Sequence, residues 1–305
     1  MASRWRRGLA LALSAALALA ACSNGDSDEA ATSSSTDGPA ASELVAQAAS
    51  FDLAAGPPGR FIVGLFSQDH GNVGYGTVEL RFSYLGRDSA EGTPTPGPTA
   101  TATFLPVPGS APPSPPPGPA FLRPSEGRGV YAAQVEFDRA GIWEVEVSAA
   151  LVEGNTVQAT AAFEVLDRHR VPAPGEDAIA SENLTIDSAD VSPIAIDSRA
   201  GDDQPVPDPE LHSTTIADAI QTGRPALVVF ATPTFCVSRF CGPVTDMVGG
   251  LASDYADRAS FIHVEIWEDF EAQRLNATAA EWLTRGGADG NEPWVFLIGA
   301  DGRIT

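Results

Sequence analysis

Residues 225–251 read PALVVFATPTFCVSRFCGPVTDMVGGL and carry the clearest structural signal in the chain. The apolar run at 226–231 is short and rich in β-branched residues, which predicts a buried strand. After Cys241, apolar side chains recur at the spacing of one helix face. The stretch therefore predicts a strand, a loop that contains Cys236, and a helix that begins near Cys241.

The flanking residues repeat this alternation of helix and strand. Their patterns predict a capped helix at 214–223, a strand at 261–267, a helix at 270–285 and a strand at 294–298 that ends in a turn. Such alternation is typical of crossover units built on a central sheet. We therefore expect an α/β domain over 214–305.

The order of these features resembles the thioredoxin family, in which a cysteine pair follows a strand and opens a helix, and a cis-proline precedes a later strand. The resemblance covers 214–305. It implies that Cys236 is the exposed nucleophile, that Cys241 is the resolving cysteine, and that Pro293 is the cis-proline beside them. An alternative register starts the family motif at Cys241, but the apolar helix face after this residue favours the first register.

Several positions depart from the family pattern. The cysteines are spaced C-x4-C instead of C-x-x-C, and Glu292 precedes the proline. Val229 stands where the family has a buried acid, and Phe235 stands where it has a tryptophan. A carboxylate at position 292 either opposes thiolate formation or accepts a proton during exchange. The sequence ends at Thr305, before the last strand and helix of the family fold, so we expect a truncated domain.

Residues 51–166 predict an all-β unit of short strands separated by glycine, asparagine and aspartate turns. Apolar and polar residues alternate most clearly at 130–137 and 143–147, and this spacing favours a β-sandwich. The phrase GVYAAQVEFDRAGIWEVEV at 129–147 resembles the closing strands of the YtkA-like and FixH-like immunoglobulin-type domains of exported bacterial proteins. The resemblance implies a role in binding or spacing.

Two stretches are predicted to lack regular structure. Residues 93–124 hold nearly half of the 25 prolines, which indicates an extended, polyproline-like insert between strands. Residues 167–213 are acidic and rich in turn formers. We predict that they form an interdomain linker that lets the orientation of the two domains vary.

The N-terminal residues have the pattern of an export signal, since three arginines precede a short apolar run. The predicted signal peptide is 1–21. The sequence LAAC at 19–22 resembles the lipobox of bacterial lipoproteins, which implies that Cys22 is diacylated and becomes the mature N-terminus. The small, polar residues that follow predict a flexible tether over 22–50. We therefore expect a lipid anchor on the extracytoplasmic face of the cell membrane.

The net charge and the positions of the histidines limit the classes of ligand that we expect this chain to bind. A formal net charge of −22 makes nucleic acid an unfavourable partner. The four histidines, His70, His169, His212 and His263, show no metal-ligand spacing. The sequence therefore predicts no metal site and no cofactor.

The cysteine pair leads to three hypotheses about function. The first is a thiol–disulfide redox protein in which Cys236 attacks, Cys241 resolves and Pro293 positions an exported thiol or disulfide protein as the partner. The second is a copper-binding metallochaperone of the SCO type, a class that binds Cu(I) through two thiolates and a histidine. The third is a non-catalytic surface protein in which the pair is a structural disulfide.

Overall fold

The computed structural model describes residues 44–67, 71–88, 93–107, 110–123, 127–201, 204–237, 240–284 and 292–305. All described residues belong to one compact unit, Ser42–Thr305. The predicted signal peptide, Cys22 and most of the predicted tether lie outside the described residues. Within the described part of the chain, no helix combines the length and the apolar character that a membrane crossing requires.

The first half of the described chain is an antiparallel sheet of nine strands with the order β6-β3-β2-β7-β5-β4-β8-β9, in which β1 also pairs with β2. The strands are β1 (Leu44–Ala48), β2 (Gly59–Ser67), β3 (Gly71–Gly74), β4 (Thr77–Gly86), β5 (Thr95–Pro106), β6 (Ala120–Leu122), β7 (Gly129–Val135), β8 (Gly141–Ala150) and β9 (Thr156–Val165). The β-rich character that we predicted for this part of the chain is confirmed.

One apolar core joins the buried faces of these strands. In β8, Trp143, Val145 and Val147 are almost completely buried, and they alternate with more exposed residues. This is the period of two that a half-buried strand requires. Phe61 and Phe82 meet edge to face with their ring centroids 5.0 Å apart, a favoured aromatic geometry.

The predicted tether and the predicted proline-rich insert are both shorter than expected. Leu44–Ala48, which we assigned to the tether, forms β1, because Ala46 is buried and the segment pairs with β2. Residues 95–106, which we assigned to the insert, form β5, and Ala102 and Phe104 enter the core. Pro96 lies where the register between β4 and β5 shifts, and such an irregularity tolerates a residue without an N–H group.

The second half of the described chain is built on a three-stranded sheet with the order β11-β10-β14. β10 pairs in parallel with β11 and antiparallel with β14. The elements are α1 (Ile216–Gln221), β10 (Ala226–Ala231), α2 (Cys241–Tyr255), β11 (Ser260–Glu265), β12 (Trp267–Asp269), β13 (Arg274–Leu275), α3 (Ala277–Leu283) and β14 (Trp294–Ile298). The predicted strand at 226–231 and the helix after it are confirmed.

One predicted helix is shorter than expected. Of the described part of this stretch, 270–284, only Ala277–Leu283 is helical, and the residues before it complete a small antiparallel pair of β12 and β13. Asn276 explains the late start of α3, because its side chain accepts a hydrogen bond from the N–H of Thr278 and caps the helix there.

The three-stranded sheet is covered on both faces. Val228 and Phe230 of β10 belong to a cluster that includes residues of α1 and α3, such as Trp282. Val229 and Ala231, which point the other way, belong to a cluster that includes residues of α2. Val229 is fully buried against apolar neighbours on this face of the sheet.

The prediction of an interdomain linker over 167–213 is wrong. Val171 and Leu211 are buried in the apolar clusters of the three-stranded sheet. The side chain of Ser181 accepts a hydrogen bond from Nε1 of Trp282, and that of Asn183 accepts one from the N–H of Ile216. The segment is acidic and rich in turns, yet it packs against the three-stranded sheet because its few apolar and polar side chains find buried partners there.

Candidate functional site

The predicted cysteine pair lies where β10 leads into α2. Cys236 and Cys241 form a disulfide, and their Cα atoms are 6.1 Å apart, within the usual range for such a bond. Cys241 is the first residue of α2 and is completely buried, whereas Cys236 is half-buried. The four-residue insert therefore still brings the sulfur atoms together, and one of the two is more accessible than the other.

The position of the pair favours thiol chemistry once the disulfide is reduced. α2 is 15 residues long, and its N-terminus carries the positive end of the helix dipole. A thiolate at this end is stabilised relative to one in water. The arrangement can therefore supply a nucleophilic sulfur at Cys236 and a second sulfur at Cys241 to displace it.

Glu292 stands beside the disulfide, and Pro293 follows it in the chain. The peptide bond between them is cis, as the family resemblance implies. A carboxylate oxygen of Glu292 lies within 4.8 Å of both sulfur atoms. Burial, together with the charge of Glu265, raises the pKa of Glu292 to about 7, and its Oε2 has no hydrogen-bond partner among the described residues. This carboxyl group is poised to exchange a proton near neutral pH.

Apolar side chains surround the entrance to the disulfide. Phe235 stacks on Phe270 with the ring centroids 4.2 Å apart, and Phe270 meets Trp267 edge to face. Val237 and Phe240, within the loop itself, are 96% and 65% exposed. A partner that reaches Cys236 therefore meets an apolar, partly aromatic surface.

A second cluster, which the sequence analysis missed, joins Asp197, His212 and His263. All three side chains are completely buried. Oδ2 of Asp197 lies 3.3 Å from Nε2 of His212 and 3.4 Å from Nδ1 of His263. We call these three residues the Asp–His–His cluster. No local pattern could have revealed it, because its members come from two separate turns and from β11.

Electrostatics keep Asp197 ionised. Burial by itself would raise the pKa of Asp197, but contacts with His212 and Arg199 outweigh burial and hold the pKa far below its ordinary value. The guanidinium of Arg199 contacts both carboxylate oxygens, at 2.7 Å from Nη2 to Oδ2 and 3.0 Å from Nε to Oδ1. Desolvation lowers the pKa of His212, which favours its neutral imidazole.

The Asp–His–His cluster is connected to the loop that carries the disulfide. Ser198, next to Asp197, accepts hydrogen bonds from the N–H and the hydroxyl of Thr234, two residues before Cys236. Nε2 of His263 lies 3.1 Å from the carbonyl oxygen of Ala231, near the end of β10. The cluster therefore supports the backbone from which the cysteine loop departs.

The structure thus brings together the three predicted catalytic residues, Cys236, Cys241 and Pro293, at one place. Cys22, the predicted lipidation site, lies outside the described residues. No protein-family model matches the chain, and no curated protein matches it.

Proposed function

We propose that this chain is a membrane-anchored, extracytoplasmic thiol–disulfide redox protein with a thioredoxin-like domain. The single observation that carries the proposal is the unequal exposure of two bonded cysteines, Cys236 and Cys241, at a strand-to-helix junction. A structural disulfide has no need of one accessible sulfur at a helix N-terminus. An exchange protein needs one sulfur that partners can reach and one that only the first sulfur can reach.

The sheet order is the second support for a thioredoxin-like domain. The strand that leads to the cysteines lies between a parallel strand and an antiparallel strand, so the cysteine loop leaves the middle of a central sheet, as the predicted crossover unit requires. Pro293, which precedes the antiparallel strand, stands in the position of the family's cis-proline. The upstream β-rich unit is proposed to be an immunoglobulin-like spacer or binding domain.

The proposed reaction exchanges two electrons between two pairs of sulfur atoms. In the reducing direction, the thiolate of Cys236 attacks one sulfur of a partner disulfide, forms a mixed disulfide and releases a partner thiolate. The thiolate of Cys241 then attacks the sulfur of Cys236 and releases the second partner thiolate. The partner becomes a dithiol, and the Cys236–Cys241 disulfide is restored. A dithiol protein in the same compartment must regenerate the reduced pair.

The neighbouring residues suit this reaction. The carboxyl group of Glu292, with its pKa near 7, can give a proton to the departing partner thiolate or take one from an incoming thiol. The exposed apolar side chains of Val237 and Phe240 suit an extended partner segment that carries its cysteine into the loop.

Reduction of insulin by dithiothreitol, catalysed by the full chain in detergent, tests the proposal. We expect catalysis by the wild type and by Cys22→Ser, which lacks only the predicted lipid attachment site. Cys236→Ser is expected to be inactive. A reduction potential above about −300 mV would agree with exchange chemistry, and a lower one would indicate a structural disulfide instead.

One structural observation supports the copper hypothesis. The two sulfur atoms and a carboxylate oxygen of Glu292 lie within 4.8 Å of one another, so the reduced pair offers soft ligands to Cu(I). However, the SCO-type site uses a histidine, and His263 contacts Asp197 in the second cluster instead. Stoichiometric binding of Cu(I) by the reduced wild type that is lost in Cys236→Ser would favour this alternative.

A further inference from the structure

We propose that Asp197, His212 and His263 bind a divalent transition-metal ion, and that zinc is this ion. The site is separate from the cysteines. The bound ion would hold the segment 167–213, which precedes α1, against the three-stranded sheet. The inference does not depend on the redox function, because none of its three ligands belongs to the disulfide loop.

The two distances from Asp197 to the histidines fit a tetrahedral ion. Zinc binds imidazole nitrogen and carboxylate oxygen at about 2.0–2.2 Å, so adjacent ligands in a tetrahedron lie about 3.3–3.6 Å apart. Oδ2 of Asp197 lies 3.3 Å from Nε2 of His212 and 3.4 Å from Nδ1 of His263. All three ligand atoms lie within 4.8 Å of one another.

The hydrogen bonding of His263 points to a cation inside the cluster. Its Nε2 lies 3.1 Å from the carbonyl oxygen of Ala231, and since a carbonyl only accepts, Nε2 carries the proton. In the neutral ring, Nδ1 then presents a lone pair to the carboxylate of Asp197 and has no hydrogen-bond partner among the described residues. Two buried lone pairs repel each other unless a cation lies between them.

A metal ion fits the space between Nδ1 of His263 and Oδ2 of Asp197 better than a proton does. A protonated imidazole would donate to the carboxylate at about 2.7–2.9 Å, the usual length of a charge-assisted hydrogen bond. The observed separation of 3.4 Å between Nδ1 of His263 and Oδ2 of Asp197 is longer. Metal-bound histidines also commonly donate their other ring N–H to a backbone carbonyl, as His263 does to Ala231.

The charges around the cluster also favour a divalent cation. Arg199 contacts Asp197 and two further carboxylates, those of Asp208 and Asp246, at 2.8 Å and 3.4 Å. Three carboxylates around one guanidinium leave two negative charges. Asp197 offers a carboxylate oxygen and His212 an imidazole nitrogen, and both are ligand types that zinc takes in proteins.

The test uses the oxidised full chain, in which the Cys236–Cys241 disulfide withholds its thiolates from the metal. Because the cluster is buried, the chain should acquire the ion as it folds. We would therefore unfold the protein in denaturant with a chelator, and refold it with and without Zn²⁺. We expect one zinc ion per refolded chain after gel filtration, and a midpoint of thermal unfolding that is several degrees higher with zinc.

X-ray absorption at the zinc edge identifies the ligands without any substitution. The proposal predicts a shell of nitrogen and oxygen near 2.0–2.1 Å with imidazole scattering beyond it and no sulfur. A sulfur shell, or less than about a tenth of an equivalent of zinc per chain, would overturn the proposal. This readout remains decisive even if a variant of the buried cluster does not fold.

Two histidine variants complete the test. His212→Gln should weaken zinc binding at least about tenfold, because it removes one of three ligands. His169→Gln is the matched control, since this half-buried histidine contacts Asp52 instead of the cluster, and it should bind zinc as the wild type does. Equal binding by His212→Gln and the wild type would contradict the proposal.

Discussion

Cys236 and Cys241 share one disulfide but differ in exposure, and this difference leads to a chemical prediction. After reduction, Cys236 should react with iodoacetamide much faster than Cys241, which is completely buried. Cys241→Ser should trap a mixed disulfide between Cys236 and a partner, because the resolving sulfur is gone. Cys236→Ser should trap none. Mass spectrometry of alkylated peptides and non-reducing gels measure both effects, and equal alkylation rates would count against the assigned roles.

The carboxyl group of Glu292 predicts a specific dependence of stability on pH. Its pKa is raised from 4.5 to about 7 in the folded protein. Between these values the unfolded chain binds fewer protons than the folded chain does, so the free energy of unfolding decreases as pH rises through this window. Glu292→Gln removes the effect. We compare the free energy of unfolding of the variant with that of the wild type. Because the side chain is only partly buried, we expect this difference to shift in favour of the variant by about 1–2 kcal/mol between pH 4.5 and pH 8.

Urea unfolding of the oxidised proteins at the two pH values measures this change. Glu271→Gln is the control, because Glu271 is exposed on the surface, and its pH dependence should match that of the wild type. If the free energies of unfolding of the wild type and Glu292→Gln change equally with pH, the fold does not hold the carboxyl group in its neutral form.

At the scale of elements, the segment before α1 is the most informative part of the chain. It contains no strand and only short turns of 3-10 helix among its described residues, yet Leu211 is completely buried beside Val229 and Cys241. Leu211→Ala should lower the free energy of unfolding of the C-terminal domain by about 2–5 kcal/mol, because it leaves a cavity in a packed cluster.

Leu297→Ala is the matched control for Leu211→Ala. The side chain of Leu297 in β14 is 51% exposed, so its truncation should cost less than about 1 kcal/mol. Denaturant unfolding followed by tryptophan fluorescence reports this domain through Trp282, which is buried in it. A negligible effect of Leu211→Ala would restore the interpretation of this segment as a linker.

At the scale of the whole molecule, the open question is attachment to the membrane. The proposed attachment rests on lipid at Cys22, whose surroundings in the sequence resemble a lipobox. We expect the full chain, expressed in a bacterial host, to incorporate labelled palmitate and to fractionate with membranes. Cys22→Ala should lose both properties, because a diacyl group supplies the apolar area that holds such a protein at a bilayer. Membrane fractionation of Cys22→Ala at the wild-type level would contradict the lipid anchor.

The sequence alone determined the elements that depend on near neighbours in the chain. The strand β10, the helix α2 and the alternating strand β8 follow from hydrophobic periodicity, which is a local property. The cysteine pair was also predictable, because Cys236 and Cys241 are separated by only a short loop. Pro293 is distant from the pair in the sequence, and it comes near the cysteine loop only because β14 pairs with β10.

Only the tertiary structure decided what residues 167–213 do and which polar side chains meet inside the fold. Asp197 and His212 carry no local signal, and they become a cluster only when the segment packs against His263 on β11. The proline-containing β5 likewise depends on its partners β4 and β7, whose hydrogen bonds and shared core outweigh its poor local propensity. Periodicity reports the burial of one element at a time, whereas contacts between distant residues exist only after those elements have packed.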